Sequence, residues 1–135
     1  MTGAKPANCL NALGGQLKKW SSNPVTGYYR NGFCQVGPDD IGNHSVAATL
    51  SDPFLDFTAS RGNNLRSIGL KAGCKWCLCA ARWREAFEFA KSQSLSSNDT
   101  INNNPIVPRV NLNATNIKAL DVVKLEELRG FADDA

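Results

Sequence analysis

Gly73-Cys74-Lys75-Trp76-Cys77-Leu78-Cys79-Ala80-Ala81-Arg82-Trp83-Arg84-Glu85-Ala86 changes its hydrophobic period halfway along, and that change decides the fold class. Lys75 to Ala80 alternates as a short strand does, with Cys77 and Cys79 on one face and Trp76 and Leu78 on the other. From Ala81 to Gln93, Trp83, Ala86, Phe87 and Ala90 recur at helical spacing, so a helix with one buried face follows directly. Upstream, Ser51-Asp52-Pro53 carries a helix start: a capping hydroxyl, an acid at the positive helix end and a proline suited to the first turn. Phe54, Leu55 and Thr58 then share a face, and Gly62 supplies the stop.

The remaining segments are shorter. His44 to Leu50 reads as a buried strand and Val107 to Leu112 as another. Tyr28-Tyr29-Arg30-Asn31-Gly32-Phe33-Cys34 is rich in strand formers, and Asn31-Gly32 is a strong hairpin signal. Asn116 to Ala132 holds two short helical patterns. Residues 1–26 are irregular, and the Ser/Asn-rich stretch 92–105 reads as a surface loop. The expectation is one α+β domain over residues 1–135. It has a small mixed or antiparallel sheet built from residues near 28–35, 44–50, 75–80 and 107–112. Helices near 52–60 and 81–92 pack on it, with short C-terminal helices beyond.

Composition narrows the function classes. A chain of 135 residues, 42% hydrophobic, holds enough apolar mass for one core. The net charge of +3 and pI of about 8.7 are carried by scattered residues, which argues against a nucleic-acid partner. No apolar run approaches the ~18 residues of a membrane span. Met1 to Pro6 lacks the apolar region of a secretory signal. The five cysteines are an odd number in a chain too long to need a disulfide scaffold. They are expected as reduced thiols, in the cytoplasm or a reducing organelle interior.

The opening stretch packs three of the five cysteines beside two tryptophans and two arginines. Three chemistries are open to it. Cys34, His44, Cys77 and Cys79 would supply tetrahedral ligands for zinc, and Cys74-x-x-Cys77 is a ligand or redox pair. Alternatively, Cys79 or Cys34 is a nucleophile, His44 (the only histidine) its base, and Asp40 or Asn63 the group that orients the base. Cys79 stands just ahead of the Arg82-Trp83 helix, where the helix dipole and Arg82 both favour a thiolate. Thirdly, Arg30, Arg82 and Arg84 with nearby glycine loops would cradle an anion, with Cys34, His44, Arg82 and Asn63 as ligand-binding residues.

Against all three stands the reading of Cys77 and Cys79 as small buried hydrophobes. Trp20, Tyr28, Tyr29 and Phe33 either fill the core or anchor a protein partner. Two functions therefore remain. One is a thiol-centred site for a small-molecule ligand or metal, catalytic or not. The other is an accessory or interaction subunit. The first expects Cys34, His44, Cys77, Cys79 and Arg82 to converge.

Several blocks in order carry a family resemblance: Asn11-x-Leu13-Gly14-Gly15, then Pro24-x-Thr26-Gly27-Tyr28-Tyr29-Arg30-x-Gly32-x-Cys34, then Gly37-x-x-Asp40-x-Gly42-x-His44. Gly62-Asn63-x-Leu65, Gly69-Leu70-x-x-Gly73, Trp76-Cys77-Leu78-Cys79-Ala80-x-Arg82-Trp83-x-Glu85-Ala86 and Ala114-Thr115 follow. In this order they resemble the family known as domain of unknown function 2237 over nearly the whole chain. The resemblance brings no assigned activity with it. It implies a divergent member. Trp20, Phe33 and Ala47 stand where the family pattern has cysteine, Cys74 where it has aspartate, and Asn116 where it has histidine.

Overall fold

The computed structural model describes residues 9–95 and 104–134. Its centre is a three-stranded antiparallel sheet in the order β2-β1-β3, with β1 Val46–Thr49, β2 Lys75–Leu78 and β3 Arg109–Val110. Val46 faces Leu78 and Ala47 faces Cys77 in the β1–β2 register, and Ala48 faces Val110 on the other edge. The small side chains of β1 let other segments approach both of its faces. Where β3 ends, hydrogen bonds from outside the ladder take over. The Ala47 amide donates to Thr115 Oγ1 at 3.0 Å, and the Ala47 carbonyl accepts from the Asn111 amide at 2.9 Å. On the outer edge of β2 the Cys77 amide donates to Thr26 Oγ1 at 2.7 Å. Both threonines are fully buried, so their hydroxyls satisfy amides that water cannot reach.

Two long helices cover one face of the sheet. Helix α1, Asp52–Ser60, starts as its sequence predicts: Ser51 Oγ accepts the Phe54 amide at 3.2 Å. Helix α2, Ala80–Leu95, buries Trp83, Ala86, Phe87 and Ala90, the four positions picked out by their spacing. They join Val46, Ala48 and Leu78 from the sheet and Phe54 and Leu55 from α1 in the main core. Trp83 is the centrepiece, stacked on Phe87 at 5.4 Å between centroids and donating Nε1–H to the Pro108 carbonyl. A 3₁₀ turn over Ile117–Asp121 and a short helix α3, Leu125–Arg129, close the chain over this core, as the two C-terminal patterns predict.

Alternation along β2 sends Cys77 to the opposite face. There Cys34, Ala47, Cys77 and Ala114 form a second small core, with Trp20 packed against it. Cys34 and Cys77 are joined as a disulfide that closes 43 residues of chain. This corrects the expectation of five reduced thiols. Cys9, Cys74 and Cys79 are free, and the inference of a reducing compartment loses its basis.

The strand expected at 28–35 is also corrected. Gly27, Arg30 and Gly32 all have positive φ, so the segment turns repeatedly instead of extending. Asn31 spends its side chain on the Phe33 amide, a local turn rather than a hairpin bend. The observed strands are shorter than expected at 44–50, 75–80 and 107–112. The Ser/Asn-rich stretch lies largely outside the described residues, and α2 continues through Leu95 before it. Among the described residues, no helix is long and apolar enough to cross a membrane.

The disulfide makes a quantitative demand on stability. Closing a loop of this length removes chain entropy from the unfolded state worth about 4 kcal/mol. The double variant Cys34→Ala/Cys77→Ala should lose about that much in urea unfolding. A loss below about 1 kcal/mol would show that the bond constrains little.

Candidate functional site

The loop from Gly37 to His44 is built to present one carboxylate and one imidazole. The Asp40 amide donates to the Gly37 carbonyl and the Asn43 amide to the Asp40 carbonyl, two turns in succession. Asn43 at φ 50° reverses the chain into β1. Asp40 is then folded back on the loop. Its Oδ2 accepts the His44 amide at 3.0 Å, and its Oδ1 lies 2.6 Å from His44 Nδ1. The Asp40 side chain has no exposure, whereas His44 keeps 32%. A buried carboxylate needs such partners, because burial without them costs far more than the fold can spare.

Cys79 arrives from the other direction. β2 ends at Leu78 and α2 begins at Ala80, so Cys79 sits at the strand-to-helix junction. Its carbonyl accepts the amides of Arg82 and Trp83, and this fixes it as the residue that opens the helix. The next amide, Ala80 N–H, donates to the Asn43 carbonyl at 3.0 Å and fastens the loop to the helix start. The outcome is a 3.2 Å contact between Cys79 Sγ and His44 Nε2.

Thiol, imidazole and carboxylate thus form one hydrogen-bonded chain. The carboxylate only accepts, so His44 Nδ1 carries the proton on that side and Nε2 faces the sulfur. Neutral His44 accepts from the thiol, and protonated His44 donates to the thiolate. Gly42 makes room for this contact. A methyl group placed on it would stand 2.7 Å from His44 Cε1 and 3.1 Å from Cys79 Sγ.

The electrostatics favour the charged imidazole. His44 is pushed up from 6.5 to about 9, mainly by its hydrogen bond to Cys79; burial opposes the shift and Asp40 reinforces it. The thiol also stands at the positive end of a 16-residue helix.

Sequence reasoning placed Asp40, His44 and Cys79 in one constellation, and the structure brings those three together. It does not bring in the others. Cys34 and Cys77 are bonded to each other, so the ligand set Cys34, His44, Cys77 and Cys79 does not form a zinc shell. Cys74-x-x-Cys77 is broken for the same reason, and Cys74 packs against the main core. Among the described residues, no group of three or more His, Cys, Asp or Glu side chains is arranged to hold a metal ion.

Arg82 turns to Glu85 at 3.2 Å and to the Arg61 carbonyl at 3.0 Å. Asn63 donates to Thr58 Oγ1 beyond the end of α1. The anion cradle does not assemble either, since Arg30 bonds the Gly27 carbonyl and Arg84 the Val122 carbonyl. Gly42 is marked in the sequence only as a member of the block Gly37-x-x-Asp40-x-Gly42-x-His44, with no role attached, and Asn43 is not a sequence candidate for the site. For Asn43 the only signal is its place in a turn-rich loop between Asp40 and His44. A cleft of about 480 Å³ lies beside the site, lined by Val36, Pro38, Asp40, Asn43, Lys118 and Asp121. Its size suits a small ligand.

Three outcomes test this geometry. The chain has a single histidine, so one imidazole proton resonance reports on His44 alone. It should titrate near 9 rather than 6.5, and Cys79→Ala should bring it down. A folded-state value above the unfolded one adds stability that is complete below about 6.5 and lost as pH rises through about 9. Chemical denaturation midpoints should fall across that window in the native chain and stay flatter in His44→Asn. Gly42→Ala should cost about 1–3 kcal/mol through overpacking and force Cys79 and His44 apart. Unchanged stability and an unchanged His44 titration in that variant would contradict the tight approach.

No curated protein matches the chain. Residues 10–132, from just before the Leu13-Gly14-Gly15 turn to the end of the C-terminal helices, match the model of a family described as an uncharacterized protein conserved in bacteria, and the chain therefore belongs to that family, domain of unknown function 2237.

Proposed function

We propose that Cys79, His44 and Asp40 form a thiol-centred nucleophilic site. The observation that carries this reading is the continuous chain from Sγ to Nε2 at 3.2 Å and from Nδ1 to the buried carboxylate at 2.6 Å. Each member has the part its chemistry suits. Asp40 holds the imidazole in one orientation and favours its protonated form. His44 takes the thiol proton at Nε2. Cys79 attacks from the start of a helix whose dipole favours negative charge.

The reaction class that fits is nucleophilic attack on an electrophilic carbon, with acyl transfer as the form best matched to this order of groups. A bond forms between Sγ and the carbon, the bond to the leaving group breaks, and the proton held at Nε2 passes to that group. Asp40 itself need not change its protonation. His44 and Cys79 both remain partly exposed, which a purely structural contact would not require.

A buried structural hydrogen bond is the rival account, and thiol reactivity separates the two. Cys79 should be alkylated by iodoacetamide faster than Cys9 or Cys74, as followed by peptide mass mapping of the native protein. Burial pushes the Cys9 thiol up, so it serves as a slow internal reference. His44→Ala should slow Cys79 by about tenfold or more as the base that takes its proton is lost. Equal rates in the native chain and in His44→Ala would reject the nucleophile.

A second reading, an interaction protein without catalysis, has one observation in its favour. Ile41, at the tip of the loop between Asp40 and His44, is 97% exposed. Trp20, by contrast, is committed to the fold. Its Nε1–H donates to the Ala48 carbonyl and its ring lies under Lys75.

A further inference from the structure

Resting on the nucleophilic reading of Cys79, we infer that Tyr28 is a positioning residue for His44, holding the imidazole in plane and favouring its charged form through ring stacking. The Tyr28 ring lies on the His44 ring at 5.7 Å between centroids and 28° between planes. That separation is within the range where an aromatic face attracts a cation and where two rings hold each other in register. His44 is thereby bounded on three sides. Asp40 fixes Nδ1, Cys79 meets Nε2, and Tyr28 covers one face.

The stack is itself anchored. Tyr28 donates its hydroxyl to the Asp39 carbonyl at 3.1 Å, one residue from the carboxylate that orients His44. Tyr29 meets Tyr28 edge-on at 5.2 Å and donates to Asp39 Oδ1 at 2.8 Å. That bond pushes the Tyr29 phenol up to about 12, so it stays a neutral donor over the physiological range. Gly37 leaves the room this arrangement needs, since a methyl group there would collide with the Tyr29 hydroxyl. Tyr28 is 39% exposed, more than a core aromatic requires. Its exposed position and its contact with His44 fit a role at the site better than a role in the core.

Among the described residues, the titratable groups that meet His44 are Asp40, Cys79 and Tyr28. Asp40 and Cys79 contribute charge, and Tyr28 contributes an aromatic face. Removing that face takes away its attraction for the charged ring and frees the imidazole to turn away from sulfur. The loss is graded, because Asp40 and Cys79 remain in place.

The experiment compares Tyr28→Ala and Tyr28→Phe with the native protein by two readouts. One is the rate of Cys79 alkylation by iodoacetamide at neutral pH, and the other is the midpoint of the single-histidine proton resonance. Tyr28→Ala should slow alkylation by about threefold to tenfold, the range for one cation–ring contact. It should also lower the His44 midpoint by roughly half a pH unit or more. Tyr28→Phe keeps the ring and should stay within about twofold of the native rate.

An unchanged or faster rate in Tyr28→Ala would overturn the inference, as would a phenylalanine variant that behaves like alanine. His44→Ala, run alongside, separates the two levels. If it leaves the Cys79 rate unchanged, the nucleophilic reading fails. If it slows Cys79 while Tyr28→Ala does not, only the role of Tyr28 fails.

Discussion

The buried bond between Cys34 and Cys77 joins the two segments that carry the site. Downstream of Cys34 runs the loop that presents Asp40 and His44, and two residues past Cys77 stands Cys79. Both sulfurs are sealed in a small core against Ala47 and Ala114, on the face of β1 away from the helices. A covalent tie at that point limits how far the loop can drift from the end of β2. The Ala80 amide on the Asn43 carbonyl then sets the final approach. Without the tie, a loop with this little regular structure would depend on a few hydrogen bonds and one ion pair to stay closed over the helix start.

β1 is the strand on which these constraints meet. It pairs along both edges, and its two faces belong to different cores. Val46 and Ala48 look toward Trp83 and the helices, and Ala47 looks toward the disulfide. Where the ladder runs out, Thr115 and Asn111 complete the hydrogen bonding of Ala47. Such a strand has little freedom to slip, because a shift of one residue would exchange its two cores. His44 lies just ahead of it and inherits that rigidity. The geometry of Asp40, His44 and Cys79 thus rests on a strand buried on both faces, a helix start and a covalent staple.

Legibility followed range. α1 and α2 were readable because their signals are local: a capping serine with a proline behind it, and four apolar residues at helical spacing. The short C-terminal helices were readable for the same reason. The segment around Asn31-Gly32 was misread because three residues with positive φ turn the chain there, and hairpin composition alone does not reveal that. In the site, Cys79, His44 and Asp40 were named because few residue types can serve as nucleophile, base and orienter, and this chain holds one histidine. Arg82 and Asn63 were also plausible, but a local partner claims each of them. Glu85 lies one helical turn from Arg82, and Thr58 stands at the end of the helix that Asn63 follows.

The sequence by itself determined the α+β class, the two main helices, the family and the three residue types available for thiol chemistry. All of these rest on local periodicity, on caps or on the order of short motifs. Only the tertiary structure decided which of Cys34, Cys77 and Cys79 is a free thiol. Cys34, Cys77 and Cys79 look equivalent along the chain, and alternation alone would put Cys77 and Cys79 on one face. The end of β2 separates them. Cys77 turns into the small core and meets Cys34, while Cys79, past the last ladder pair, opens a helix beside His44. Tyr28 gained its place in the same way, since a contact between rings on two separate turns depends on how the loops fold against each other.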